Sequence, residues 1–131
     1  MKKIGILHPE ISAVVASMGH TDMLVIADAG LPIPDHVQRI DLALSEGVPP
    51  FLKTTQVILG ELKVQEAIIA EEMLTRSPQI YEQLRQALPD IPIKHVPHET
   101  FKQITGEAKA IVRTGEFTPY ANVILIAGVT F

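Results

Sequence analysis

The chain has 131 residues, 47% of them hydrophobic and 5% aromatic, with 11 Lys and Arg against 15 Asp and Glu for a formal charge of −4. That length fits one domain, and the apolar content excludes a disordered chain. The absence of cysteine excludes disulfides, thiolate catalysis and cysteine-ligated zinc or iron–sulfur sites, and the negative charge argues against non-specific nucleic-acid binding, which needs Lys and Arg to displace counterions.

No apolar run approaches the roughly 20 residues of a membrane span. The chain opens like a leader, with Lys2 and Lys3 before Ile4 to Leu7, but His8, Pro9 and Glu10 interrupt the apolar stretch before it reaches the ~7–15 residues such a segment needs. A soluble cytoplasmic protein is the expectation.

Ile11, Val14, Val15 and Met18 fall at helical spacing, and Gly19 stands where a C′ glycine closes a helix. Met23 to Ala27 then reads as a short buried strand ending at Asp28 and Gly30, and Val37 to Leu42 as a second. Val57, Ile58 and Leu62 repeat the helical spacing. Glu61 to Met73 fits a continuous helix or a helix that turns into a strand; the isoleucine-rich Ala67 to Ala70 favours the strand. Ser77-Pro78 supplies an N-cap with proline at the first helical position for a helix carrying Ile80, Leu84 and Leu88. Ile91 to Val96 is the next strand and His98 to Gly106 a short helix. Ala110 to Val112 and Val123 to Ile126 are the last two strands.

Strands alternating with helices imply an α/β fold in one domain over residues 1–131, a three-layer sandwich with a mostly parallel or mixed central sheet flanked by helices. The 10 prolines mostly fall between elements and stiffen the loops. Residues 123–131 stay largely apolar to Phe131. Such an end is expected to be buried as a strand of its own sheet, with insertion into a neighbouring subunit as the alternative.

Chemistry-bearing side chains cluster at loop edges. His20, just past a helix, suits complementing the negative helix end, or general acid/base work near neutral pH. Asp28 follows a strand, where open α/β sheets bind ligands, yet it could equally cap the turn at Gly30. His95 and His98 are separated by Pro97 and lack a third ligand, so a metal site is not expected. His95 is expected along a strand and His98 at a strand-to-helix junction. In the loop 115–122, Tyr120 and Asn122 offer a hydroxyl and an amide, the groups that orient a neutral polyol, although an ordinary surface turn fits as well. Lys102 and Arg113 read as solvated surface. No Gly-x-Gly-x-x-Gly, P-loop or Gly-x-Ser-x-Gly elbow is present. Proton-shuttling chemistry or plain binding of a neutral small molecule is what this inventory suits.

Three motifs together carry a resemblance. Gly19-His20-Thr21-Asp22, Asp28-Ala29-Gly30-Leu31-Pro32-Ile33-Pro34 and Arg113-Thr114-Gly115-Glu116-Phe117-Thr118-Pro119-Tyr120-Ala121-Asn122 resemble the D-ribose pyranases, the RbsD branch of the RbsD/FucU superfamily, over essentially the whole chain. Thr21, Gly30 and Leu31 favour this branch over the L-fucose mutarotases. The resemblance implies a cofactor-free isomerase that interconverts pyranose and furanose D-ribose and supplies ribokinase. It implies His20 as proton donor, with Asp28, His98, Tyr120, Ala121 and Asn122 binding the sugar. It also implies a homo-oligomeric ring, commonly a decamer of two stacked pentamers, with the sugar site between subunits. His8 departs from the pattern, in which many relatives carry Asn; if it lines the site, sugar preference or pH response would differ.

Overall fold

In the computed structural model, which describes residues 1–131, Met23–Ala27 forms strand β1. Successive strand side chains point to opposite faces, so Leu24 and Ile26 enter one apolar cluster and Val25 and Ala27 another. All four are fully buried. Two covered faces explain why the run is apolar throughout instead of alternating.

β2 (Gln38–Asp41), β3 (Val64–Ala70), β4 (Ile93–Val96), β5 (Ala110–Arg113) and β6 (Val123–Ala127) join β1 in one sheet of order β2-β5-β1-β6-β3-β4. β5 runs parallel to β1 and β2, and β4 parallel to β3. β6 lies between β1 and β3 and is antiparallel to both. The sheet is mixed, with β6 alone reversed.

The helices are α1 (Pro9–Ser17), α2 (Phe51–Leu59), α3 (Glu72–Arg76), α4 (Pro78–Ala87) and α5 (His98–Thr105). Ile11 and Val14 of α1, Phe51 and Ile58 of α2 and Leu84 of α4 pack on the Leu24 face. Phe101 of α5, with Leu31 and Val37, packs on the Val25 face. Fully burying one such side chain stabilises the fold by roughly 1.5–3 kcal/mol, so these few anchors fix the three layers. No helix is long and apolar enough to cross a membrane.

Every expected strand is present, with β3 starting at Val64 instead of Ala67. The helices differ more. α2 occupies Phe51–Leu59, so it contains Val57 and Ile58 of the expected pattern but starts well before them and ends before Leu62. Its buried face includes Thr54 and Thr55, whose hydroxyls donate to the Pro50 and Phe51 carbonyls at 2.9 and 2.8 Å, so polar residue types hide the period. α3 is too short for any period to register. Gly19 does not adopt the left-handed conformation; α1 ends because Met18 turns extended, and Gly19 N–H donates to the Asp22 carboxylate at 2.9 Å. Ser77 sits at the N-cap of α4, but its hydroxyl donates to the Pro119 carbonyl at 2.8 Å and makes no cap bond. The chain end is corrected as well. β6 is buried to Ala127, whereas Val129 reaches the surface and Phe131 is fully exposed.

Candidate functional site

The strand directions place the C-terminal ends of β1, β4 and β5 and the start of β6 at one end of the sheet. Asp28, His98 and Arg113 follow or end those strands, and Asn122 precedes β6. The side chains of Asp28 and Asn122 join directly. Asp28 N–H donates to Asn122 Oδ1 at 2.8 Å, and Asn122 Nδ2 donates to Asp28 Oδ2 at 2.9 Å. Asp28 Oδ1 accepts from the N–H groups of Gly30 and Leu31, both at 2.9 Å. Asp28 thus caps its turn, as one reading of the sequence had it, and still lines a cleft of about 590 Å³.

Tyr120 and His98 line the same cleft. Their rings meet edge to face, with centroids 5.1 Å apart, a favourable aromatic arrangement. Tyr120 has φ 61°, a left-handed conformation that costs a non-glycine residue on the order of 1–3 kcal/mol and marks sites held by their surroundings. His98 opens α5, and its N–H donates to both oxygens of Glu72 at 3.0 and 3.2 Å. Its Nδ1 is buried without a protein partner. Ala121 and Asn122 are fully buried; Ala121 is set by the turn in which Asn122 N–H donates to the Tyr120 carbonyl at 2.8 Å.

Three side chains that the sequence left aside build this cleft. Glu116 Oε1 accepts from Phe51 N–H at 3.1 Å, at the first residue of α2, where the helix dipole favours a carboxylate. Its Oε2 accepts from Thr118 N–H and hydroxyl at 3.3 and 2.9 Å, and its carbonyl accepts from Ala29 N–H at 2.8 Å. Glu116 therefore ties the 115–122 loop to α2 and to the Asp28 turn. Arg113 is not plain surface. Its Nε donates to the Ala29 carbonyl at 3.0 Å and its Nη1 to Asp41 at 3.1 Å. Arg76, from α3, lines the mouth. In the sequence Glu116 stands out only as one member of a loop motif, and nothing in the local sequence of Arg76 signals its place.

Lys102 pairs with Glu99 at 2.8 Å. The hydrogen bond from Lys102, then its charge, holds the Glu99 carboxyl below its ordinary value, with a smaller contribution from His98. His95 turns to Tyr81, ring centroids 5.9 Å apart, and away from His98. His8 caps α1, its Nδ1 accepting from Ile11 N–H at 3.3 Å, and lines an apolar groove with Leu7 and Val57 instead of the cleft.

His20 stands apart from the other candidates. It precedes β1 while Asp28 follows it, and its Nε2 lies 2.9 Å from Oε1 of Gln65, near the start of β3. The length of β1, on the order of 15 Å at strand rise, separates the imidazole from the cleft within one chain.

Residues 1–130 match the model of the RbsD / FucU transport protein family. The chain is 56% identical to the D-ribose pyranase of Coprothermobacter proteolyticus, covering 100% of both. It is 53% identical to that of Geobacillus thermodenitrificans, covering 100% of this chain and 99% of the relative. The fold superposes on Bacillus subtilis RbsD complexed with D-ribose, with a TM-score of 0.97 at 47% identity over 100% of each chain. The fucose mutarotase of Streptococcus pneumoniae, in complex with L-fucose, gives a TM-score of 0.79 at 26% identity over 95% of each.

Proposed function

The chain belongs to the RbsD / FucU transport protein family, and from that membership we propose that it is a cofactor-free D-ribose pyranase, converting ribopyranose to ribofuranose for a cytoplasmic ribokinase. The observation that carries this reading is the cleft lined by Asp28, Tyr120 and His98, with the buried Asn122 hydrogen-bonded to Asp28. A half-buried carboxylate backed by a buried amide, an aromatic ring and an imidazole fit a neutral polyol with one apolar face.

Pyranose and furanose exchange through the open aldehyde. The anomeric hydroxyl loses a proton, the bond from the anomeric carbon to the ring oxygen breaks, and that oxygen takes a proton. A positioned acid/base contributes about 10²–10⁴-fold to such a step. His20 is assigned this role. Asp28 retains acceptor capacity on Oδ2 for a sugar hydroxyl, since an ionised carboxylate oxygen can take more than the single bond from Asn122. Tyr120, His98 and the 121–122 backbone restrain the open chain while it rotates and recloses.

Because β1 holds His20 and Asp28 apart, His20 of one copy serves the cleft of the next. Contact between unlike ends of a chain is heterologous, and heterologous contacts form rings where the rotation between copies closes. Exposed Val129 and Phe131 follow β6 at the His20 end, and Phe117 is exposed at the cleft, which supports apolar contact between those ends. A decamer of two pentameric rings is the assembly this reading favours.

NMR saturation transfer between ribose forms tests the activity. Wild type should exchange ribose faster than buffer does, and His20→Ala should lose about 10²–10⁴-fold. Equal rates for mutant and wild type would remove His20 as the catalyst. Thermal stabilisation by ribose without excess exchange would identify a binding module instead, and faster exchange of L-fucose than ribose would reassign the substrate.

A further inference from the structure

We propose that Gln65 is a positioning residue for the isomerisation: it holds the hydrogen of the His20 imidazole on Nε2, so that Nδ1 alone both takes the proton from the sugar and returns it. This rests on His20 being the acid/base of the proposed reaction.

The geometry at the start of β3 carries the inference. Gln65 Oε1 faces His20 Nε2 at 2.9 Å; because an amide oxygen only accepts, that bond forms in the tautomer with its hydrogen on Nε2 and leaves the lone pair on Nδ1. The remaining four histidines have other surroundings: His8 caps α1, His36 bonds the Gly106 carbonyl, His95 faces Tyr81 and His98 faces Tyr120. Backbone bonds hold the chain neighbours of both partners. Thr21, with φ 70°, donates its N–H to the Ala127 carbonyl at 2.9 Å, and Gly128 N–H donates to the Lys63 carbonyl at 2.8 Å. A Cβ at Gly128 would lie 3.0 Å from Cβ of Gln65, so glycine there lets the β6 exit pack against the glutamine.

The step balances on one nitrogen. Neutral Nδ1 takes the proton of the anomeric hydroxyl, giving an imidazolium. The bond between anomeric carbon and ring oxygen breaks with its electron pair on that oxygen, and the anomeric oxygen becomes the carbonyl. Nδ1–H then protonates the ring oxygen. Both oxygens are bonded to the anomeric carbon, so the ring need not turn between the two transfers. Throughout, the imidazolium keeps its Nε2–H bond to Gln65.

The charged groups around His20 are Asp22 in its own turn, Lys109 paired with Asp22 at 3.8 Å, Lys63, and Glu66 paired with Lys94 at 3.2 Å. None hydrogen-bonds the imidazole, so the side chain at 65 is the one that sets its tautomer. Gln65 is exposed within the chain, and its replacement leaves the core intact.

The test uses the full chain with ¹⁵N-labelled histidine. Wild-type His20 should show the Nε2-protonated tautomer. Gln65→Met should give a mixture, with kcat for ribose exchange down roughly 5–10-fold, the loss of one hydrogen bond, and ribose affinity unchanged. Gln65→Glu should favour the imidazolium, which has no lone pair. The His20 titration and the rising limb of the pH–rate profile should therefore both move to higher pH, a shift that a merely structural role would not produce. An unchanged tautomer in Gln65→Met, or an unmoved profile in Gln65→Glu, overturns the inference. Wild-type exchange in His20→Ala overturns the underlying catalytic reading instead, whatever the imidazole spectra show.

Discussion

Asp28 and Asn122, far apart in sequence, clasp each other through two reciprocal hydrogen bonds of 2.8 and 2.9 Å. Main chain and side chain of the aspartate each meet one atom of a single buried amide. The orientation of that amide is fixed by the pair, because reversing it would set donor against donor.

The clasp predicts a reciprocal swap. Asp28→Asn alone places an amide N–H₂ against the Asn122 N–H₂ and should weaken ribose binding and stability, by about 1–3 kcal/mol for the latter. The double variant Asp28→Asn/Asn122→Asp restores complementary partners. Its melting temperature should recover most of the single-mutant loss, and additive losses in the cycle would refute the pairing.

Glu116 should behave as the brace of the 115–122 loop. Glu116→Ala leaves Phe51 N–H and the Thr118 groups without their carboxylate, at a cost of about 1–3 kcal/mol. Since the loop carries Tyr120 and Asn122, the ribose KM should rise more than kcat falls. Denaturant melts and steady-state exchange would show whether stability and KM move together.

Gly115 has no room for a side chain. A Cβ there would collide with the carbonyl oxygens of Ser45 and Val48, which are backbone and cannot swing aside. Gly115→Ala should destabilise by roughly 1–3 kcal/mol, the range for overpacked sites. A wild-type melting temperature would show that the 45–48 turn yields freely.

A site shared between copies predicts complementation. His20→Ala and Asp28→Asn preparations, each impaired alone, should regain activity when unfolded together, mixed in equal amounts and refolded. Random assembly gives about one quarter of sites an intact His20 facing an intact Asp28. Absence of recovery, or full activity in a monomer by light scattering, would contradict the shared site.

Lys102 should control the acid titration of Glu99. A carboxyl lowered in the folded chain contributes stability above its unfolded value and loses it as pH falls through the folded value. Both groups are solvent-accessible, so screening keeps the effect on melting small. In Lys102→Ala the Glu99 titration should move up toward its ordinary position by NMR; an unmoved curve would refute the pairing.

The strands were legible because Leu24 to Ala27 and Val123 to Leu125 are buried on both faces and so appear as unbroken apolar runs. The start of α2 was hidden because Thr54 and Thr55 satisfy their hydroxyls within the helix and pass as core. The motif residues around the cleft were legible as types, and Asp28, His98 and Tyr120 do meet there. Their couplings were not legible. Arg113 acts through the Ala29 carbonyl and Glu116 through Phe51 N–H, and backbone partners leave no mark in the amino-acid pattern. The separation of His20 from Asp28 follows from strand direction alone.

The position of β6 also bears on assembly of the sheet. It is the sixth strand in chain order, yet it is the seam between β2-β5-β1 and β3-β4. Without residues 123–127, β2-β5-β1 and β3-β4 have no strand to join them. A chain cut before Val123 would leave the β6-facing edges of β1 and β3 unpaired, the kind of open edge that invites aggregation.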